Sequence, residues 1–465
     1  MSITVAKFGG TSLADAAHFR KIREIVEGDP DRRIIVVSAP GKRFPEDVKV
    51  TDLLLSCYEK AAAEENFEPI LREIRDRYLE IIRGIFPGDA GQGDGSFVLP
   101  ESGQKNRPLV LQEERLLRAL EEIRSHLLTD PARDYTASRG EYLSARILSD
   151  YLGFTFVDPA WCVCFRADGS FDQQMTIRTM AASLRPLKNA VIAGFYGADE
   201  AGVIHTFQRG GSDVTGALAA RAVSADLYEN WTDVPGLLSA DPRIVDHPKR
   251  VNALSYRELR TLSYMGASVL HSDAVQPASD LGIPINIRST EEPENPGTMI
   301  VRKLPKGETR RPVSGVAGMQ GMSVIQVEKL MVSDGSGFAS IMLDILKKRN
   351  LPFEHCLTGI DSITIVIRTM LLEPVREELL TEIREELQPD YLAVRDNLSM
   401  IVVVGEKGTD TSDANVRVLE ALSEAGIEIT TINQGAGKLN LLIGVPEDSY
   451  EEAIRAIYSV VEDAL

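Results

Sequence analysis

Cysteine is scarce in this chain, with only Cys57, Cys162, Cys164 and Cys356 among 465 residues. Only Cys162 and Cys164 are near neighbours, and one intervening residue fits neither a zinc knuckle nor a CxxC redox pair. Structural thiols in a reducing, cytoplasmic setting are therefore expected. Basic charge is also in deficit: 51 Lys and Arg face 69 Asp and Glu, a net charge of -18. Such a surface repels phosphate backbones, so no nucleic-acid partner is expected. No uninterrupted apolar run reaches the length of a membrane span. The opening MSITVAKFGGTS has no apolar core of a secretory signal. Two nucleotide-binding signatures are missing as well, GxxxxGK[ST] and a GxGxxG that follows a strand, which sets aside P-loop and dinucleotide folds.

What is present is enough apolar material for more than one core. Hydrophobic residues make up 43% and charged residues 26%, an ordinary globular balance, and the length suggests two to four domains. Strand-like and helix-like segments alternate up to about residue 300. Ile3 to Val5 and Ile34 to Val37 read as short buried strands, and Ala14 to Glu27 as a helix. Asn66 to Phe86 reads as a second helix, because Phe67, Ile70, Leu71, Ile74, Tyr78, Ile81, Ile82 and Ile85 recur at helical spacing. Pro87 to Pro108 has no period and reads as a surface loop. The helix after it is expected to set Leu116, Leu117, Leu120, Ile123 and Leu127 on one face. Further strands are expected at Val191 to Ala193, Val203 to Thr206, Ala225 to Glu229 and Ile283 to Ile287. This alternation predicts an α/β fold with a mainly parallel sheet.

The charged segment RKLPKGETRRP at 302–312 marks a domain boundary. Beyond it the chain repeats itself at an offset of about 76 residues. Val324 to Val327 matches Ile401 to Val404, and Ile363 to Ile367 matches Leu439 to Ile443. The helices through Leu346 and Leu422 correspond, as do those after Pro374 and Ser449. Each copy reads β-α-β-β-α with a further strand, the ferredoxin-like pattern.

Three glycine-bearing turns carry the chemistry. Lys7-Phe8-Gly9-Gly10-Thr11-Ser12 follows the first strand, Ser38-Ala39-Pro40-Gly41 follows the second, and Arg209-Gly210-Gly211-Ser212-Asp213 opens a later helix. Glycine lets the backbone approach a ligand closely, and the N–H groups of a following helix N-terminus attract anions. Singly, each turn is also what any tight loop looks like. Jointly, and with Thr232-Asp233 and Asp241-Pro242-Arg243 downstream, they read as two cradles, each with a fixed cation, gripping opposite ends of a triphosphate in transfer.

At this point the chain resembles aspartate kinase, of the amino-acid kinase superfamily. The resemblance is carried by KFGGTS at 7–12, VVSA at 36–39, RGGSD at 209–213, WTDVPG at 231–236, ADPRIV at 240–245 and GASVLH at 266–271, and by a paired repeat similar to tandem ACT domains. It implies an amino-acid kinase fold over 1–303, a three-layer αβα arrangement with a mainly parallel central sheet. Two ferredoxin-like βαββαβ ACT domains would follow at 313–390 and 396–465. It implies ATP-dependent phosphorylation of the β-carboxylate of L-aspartate, the first step towards lysine, threonine and methionine. Lys7 would bind the transferring phosphoryl group, with Gly9, Gly10 and Ser12 as its cradle and Ser38 as a neighbouring phosphate contact. Asp213 would orient Lys7 or help place the metal. Arg209 would take the α-carboxylate of aspartate, since its planar fork matches a carboxylate. Glu141 would meet the α-ammonium, and Thr51, Phe195 and Ser212 would complete the pocket. Thr232, Asp233, Asp241 and Arg243 would hold the nucleotide. Mg²⁺ is implied through phosphates and water rather than a protein cage.

The chain departs from the family pattern at the nucleotide rim. Ser268 stands where a lysine is usual, Leu238 where a tyrosine is common, and Arg139 where an aromatic precedes Gly140. An arginine usual after Val157-Asp158-Pro159-Ala160 is missing. An active enzyme with an altered rim is expected, against the alternative of a non-catalytic amino-acid sensor on a degenerate kinase fold. A third possibility is a kinase for another acceptor. In the repeats, Met331, Ser333, Asp334, Gly337, Phe338, Glu354, Thr358 and Asp361, with Asn433 and Gln434 of the second copy, are the effector-binding residues expected for lysine or threonine. Pairing of ACT domains implies a homodimer or homotetramer.

Overall fold

The computed structural model describes residues 2–86, 109–208, 210–266, 270, 272–304, 313–330, 337–405, 412–434 and 440–462. The segment expected to be a loop at 87–108 lies outside the described residues. The chain forms two compact units. One comprises Met1–Leu237, Asn252–Tyr256 and Val269–Leu304, and the other Leu238–Val251, Arg257–Ser268 and Pro305–Leu465.

In the first unit the elements run β1 (Thr4–Phe8), α1 (Ala16–Glu27), β2 (Arg32–Val37), α2 (Val50–Ala62), α3 (Glu68–Ile85), α4 (Leu109–Thr129), α5 (Arg133–Leu152) and β3 (Thr155–Val157). They continue with α6 (Gln173–Leu184), β4 (Ala190–Ala193), β5 (Tyr196–Ala198), β6 (Ile204–Thr206), α7 (Gly211–Val223) and β7 (Leu227–Thr232). The last are β8 (Ala253–Ser255), α8 (Tyr256–Tyr264, in the second unit beyond Tyr256), α9 (Ser272–Leu281), β9 (Ile285–Ser289) and β10 (Thr298–Val301). Eight strands form one sheet in the order β3-β4-β2-β1-β7-β9-β10-β8. Every pairing in it is parallel except that of β10 with β9.

Side-chain alternation divides the two faces. Ala6, Phe8, Ile35, Val37 and Trp231 join the core built with α1 to α5. Val5, Lys7, Ile34 and Val36 point the other way, where α7 crosses β1, β2 and β7 and packs beside α6 and α9. Helices on both faces of a parallel sheet give the three-layer arrangement.

Local chemistry sets the element ends. Asp15 is extended, and its carboxylate accepts from the N–H groups of Ala17 and His18 at 2.8 and 3.1 Å. The first helix therefore begins two residues later than its apolar pattern suggests. Leu117 is a correction: it is exposed, because the buried stripe of α4 runs through Gln112, Leu116, Leu120, Ile123 and Leu127. The strand expected at Val203 to Thr206 also differs, since β6 pairs only with β5, antiparallel and outside the main sheet. Ala225 sits in the turn after α7, where its N–H donates to the Ala220 carbonyl at 2.8 Å.

The second unit contains β11 (Gly315–Glu328), α10 (Phe338–Lys348), β12 (His355–Thr358), β13 (Ser362–Arg368), α11 (Thr369–Leu372), α12 (Arg376–Leu387), β14 (Tyr391–Val404), α13 (Ser412–Glu424), β15 (Thr431–Gln434), β16 (Asn440–Pro446) and α14 (Tyr450–Val461). Its sheet has the order β12-β13-β11-β14-β16-β15 and is antiparallel throughout. The repeats interlock through two strands of 14 residues. Tyr391 to Leu398 pairs with Met322 to Glu328 and is the fourth strand of the first repeat. Gly315 to Met319 pairs with Met400 to Val404 and serves the second repeat in the same way.

Candidate active site

β1, β2, β4 and β7 are parallel, so their carboxyl ends share one edge of the sheet. β1 lies between β2 and β7, and the chain builds outward first on one side and then on the other. A reversal of this kind leaves a crevice at the strand ends. The cleft found there has a volume of about 1340 Å³ and is lined by Lys7, Ser38, Thr51, Glu141, Phe195, Ser212 and Asp213, among others. Residues from six separate stretches of sequence thus converge there. Arg209 lies outside the described residues, but its neighbours Gln208 and Gly210 line the same cleft.

Lys7, the penultimate residue of β1, is almost fully buried, and its Nζ is 2.5 Å from Asp213 Oδ1. Asp213 stands in the first turn of α7, which Gly210 enters at φ 63°. A left-handed entry of that kind is cheap for glycine. A Cβ at Gly211 would lie 2.8 Å from the Phe195 ring. Phe195 itself has φ 80°, a strained conformation for a bulky residue that costs on the order of 1–3 kcal/mol. Its backbone is held on both sides. Its N–H donates to the Thr215 hydroxyl at 3.2 Å, and its carbonyl accepts from the Phe207 N–H at 2.9 Å.

Glu141 projects from α5 and is fully buried, and its Oε2 has no hydrogen-bond partner. Burial is the main cause that pushes its pKa up to about 8, opposed by a backbone hydrogen bond from Ala39. Gly140 makes this close approach possible, because a Cβ there would lie 2.6 Å from the Ala39 Cβ. Arg139, the departure from an aromatic, packs its guanidinium over the rings of Tyr135, Tyr142 and Tyr196 at 4.5, 4.7 and 5.1 Å. A planar cation so fills a place among aromatic rings.

Gly9 and Gly10 shape the neighbouring loops. The Gly9 N–H donates to the Trp231 carbonyl at 3.0 Å, and the Gly10 carbonyl accepts from the Gly41 N–H at 2.7 Å. A Cβ on Gly41 would lie 2.6 Å from the Gly10 carbonyl carbon, so the first two loops pack backbone to backbone. Ser12 is buried with its hydroxyl 3.1 Å from that of Thr290, not on the cleft wall. The Thr232 hydroxyl donates to Asp233 at 3.1 Å. Asp241 and Arg243 belong to the second unit and pair with each other at 2.6 Å, and this hydrogen bond holds the Asp241 carboxyl below its usual range. Ser268 and His271 lie outside the described residues.

Sequence reasoning missed Asn230, which touches both Lys7 and Asp213. It also missed Gly194, where a Cβ would lie 2.5 Å from the Ser212 hydroxyl. A single polar residue in a strand and a single glycine after one carry no pattern that would have exposed them.

In the second unit, Met331, Ser333 and Asp334 lie outside the described residues. Gly337, at φ 154°, caps α10, which Phe338 begins. Thr358 and Asp361 stand at and just after β12, and Asn433 and Gln434 on β15, the opposite edge of the sheet. One copy of the chain does not bring these two groups together. Glu354 already accepts from Arg368 Nε at 2.7 Å and from the Tyr264 hydroxyl.

The amino acid kinase family profile matches residues 2–289, and an ACT-domain profile matches 401–460. Aspartokinase 3 of Bacillus subtilis (strain 168) is 34% identical over 98% of this chain and 97% of its own. This chain belongs to the aspartokinases of the amino acid kinase family. Among solved structures, Clostridium acetobutylicum aspartate kinase, described as an allosteric enzyme, superposes with a TM-score of 0.81 at 36% identity, covering 99% of this chain and 100% of that one. Aspartokinase III of Escherichia coli, solved with aspartate and ADP in an R-state, gives 0.76 at 25% identity over 98% and 99%. The same enzyme with lysine and aspartate in a T-state gives 0.71 at 25% over 99% of each chain.

Proposed function

We propose that this aspartokinase transfers the γ-phosphoryl group of ATP to the β-carboxylate of L-aspartate and is feedback-regulated through its ACT repeats. The observation that carries the reading is one cleft lined both by a buried cation, Lys7, and by a buried carboxylate, Glu141, one of whose oxygens has no hydrogen-bond partner. Phosphoryl transfer to a carboxylate joins two anions, so neutralisation and positioning are what a protein must supply. Lys7 offers an ammonium to the transferring group, and the start of α7 offers backbone N–H groups. Glu141 receives the α-ammonium, Arg209 the α-carboxylate, and Thr51, Phe195 and Ser212 the remaining walls. Ser38 flanks the phosphate, while Thr232, Asp233, Asp241 and Arg243 are assigned to the nucleotide.

Among the described residues no group of three or more His, Cys, Asp or Glu could cage a metal, and Asp213 is already paired with Lys7. Mg²⁺ therefore fits as an ion that arrives on the nucleotide phosphates and keeps its waters, offsetting their charge. The proposed domains are 1–303, 313–390 and 396–465, although Leu238–Val251 and Arg257–Ser268 belong to the second compact unit and each of the last two domains takes a strand segment from outside its bounds. No helix among the described residues is long and apolar enough to cross a membrane, which suits a cytoplasmic biosynthetic enzyme.

The open edges β12 and β15 invite pairing with a second copy. Such pairing would set the Thr358 and Asp361 group of one chain near residues of another, in a homodimer or homotetramer. Lysine is the favoured effector and threonine the alternative, as the acidic Asp361 suits an additional ammonium. ADP release measured with aspartate, then with lysine and threonine separately and together, tests this. Absence of turnover with aspartate would favour a sensor without catalysis.

A further inference from the structure

Asn230 occupies the middle of β7, 1% exposed, in register with Lys7 on the adjacent β1. Alternation turns Tyr228 and Asn230 towards α7, while Trp231 faces the opposite core. Burying a side-chain amide costs about 1–3 kcal/mol unless its polar atoms are bonded. The Asn230 side chain has two bonds. Its Oδ1 accepts from Lys7 Nζ at 3.3 Å, and its Nδ2 donates to Asp213 Oδ1 at 3.2 Å. The same Asp213 oxygen is 2.5 Å from Lys7 Nζ. The three side chains thus close a triangle. Tyr228 adds a second brace, its hydroxyl donating to the Asp213 backbone carbonyl at 3.1 Å. Gly216 leaves room for that ring, since a Cβ there would lie 2.6 Å from the hydroxyl.

We infer that Asn230 is a positioning residue for phosphoryl transfer, acting through Lys7 and Asp213; this rests on the roles proposed above for those two. An ammonium has three donors on a flexible stem, so one ion pair leaves its direction loose. Asn230 supplies a second acceptor fixed in the sheet. When a phosphoryl oxygen draws Nζ away from Asp213, the ammonium pivots about the amide carbonyl instead of swinging freely. The Asn230 amide N–H keeps the Asp213 oxygen satisfied meanwhile. The amide is neutral, so it steers the lysine without adding negative charge against the incoming phosphates.

Steady-state kinetics of Asn230→Leu, Asn230→Ser, Asp213→Asn and the double variant N230L/D213N test the inference. Asn230→Leu keeps the branched skeleton, with bulkier methyl groups, and removes both bonds, and Asn230→Ser is the fallback should the leucine variant not fold. Loss of orientation alone is expected to lower kcat about 10–100-fold with the KM for aspartate within about 3-fold of wild type. The double variant is expected to lose little beyond D213N alone, because both changes break one unit. A folded N230L or N230S with kcat within about 3-fold of wild type overturns the role, as do losses that multiply in the double variant. Absent turnover in the wild type overturns the assignment of Lys7 and this role with it. Wild-type turnover that stays within about 3-fold after substitution of Asn230 overturns this role alone.

Discussion

Glu141 gives the sharpest test, because its ionisation and its proposed ligand are coupled. With burial pushing its pKa up to about 8, about nine in ten Glu141 side chains are neutral near pH 7 and about one in ten near pH 9. An α-ammonium selects the ionised form. At about pH 7, deprotonation therefore takes about 1.4 kcal/mol from the binding energy, and at about pH 9 almost none. A hydrogen bond between charged groups contributes about 1.5–3 kcal/mol. Glu141→Gln keeps the shape and an acceptor but cannot ionise. The ratio of the variant's KM for aspartate to that of wild type is thus expected to grow from a few-fold near pH 7 to about 10–100-fold near pH 9.

Stability should move the opposite way. The folded-state pKa lies above the ordinary carboxylate value of 4.5, so the folded protein holds a proton that the unfolded chain has released. Stability is then lost as pH rises through the window from 4.5 to about 8. Without ligand, the Gln variant is expected to melt above wild type near pH 9 and close to it near pH 5. A KM ratio that does not change with pH, together with equal melting temperatures near pH 9, would refute the buried ionisation, and a ratio near one at both pH values would refute the ammonium assignment.

Three further outcomes follow from the geometry. Lys7→Met should lower kcat by about 10²–10³-fold or more while leaving the KM for aspartate within a few-fold, checked by coupled ADP release. Gly194→Ala should raise the KM for aspartate by about 10-fold and destabilise by about 1–3 kcal/mol in denaturant titration, since the new methyl would fall 2.5 Å from the Ser212 hydroxyl. Glu229→Gln should cost about 3–5 kcal/mol in the same titration. It strips charge from a buried carboxylate that accepts from Arg32 at 2.6 and 3.0 Å, Arg288 at 3.3 Å and Trp231 at 2.9 Å. Its turnover below the melting transition should stay near wild type.

The sequence announced the loops better than the walls. Gly9, Gly10, Gly41 and Gly210 were legible because their conformational demands are local and fall in short motifs next to strands. Lys7 and Asp213 were legible by their place in those motifs. Asn230 was hidden because its meaning depends on register with Lys7, and register is a property of the assembled sheet. The burial of Glu141 was hidden as well, since an isolated acidic residue on a helix usually faces solvent. The repeat was visible from periodicity, but the strand exchange was not. β11 and β14 are each continuous in sequence and stay paired with each other on both sides of the register shifts between Met319 and Val324, while β13 flanks only Met322 to Glu328 and β16 only Leu398 to Val404.

The cleft is close to electrically balanced at Lys7 and at Glu141. Lys7 is matched by Asp213, and Glu141 favours the protonated form at neutral pH, so neither carries an unpaired buried charge. Each substrate then disturbs one of the two. Nucleotide phosphates compete with Asp213 for Lys7, and the aspartate ammonium draws Glu141 into ionisation. An ionised Glu141 adds negative charge to the cleft that must also accept the phosphates, which disfavours the nucleotide unless the ammonium is there to balance it. The ammonium does balance it only when aspartate is seated. Premature nucleotide binding at high pH is therefore weakened in the free enzyme and restored by aspartate. Positive coupling between the two substrates should consequently strengthen as pH rises through about 8, and should vanish in Glu141→Gln.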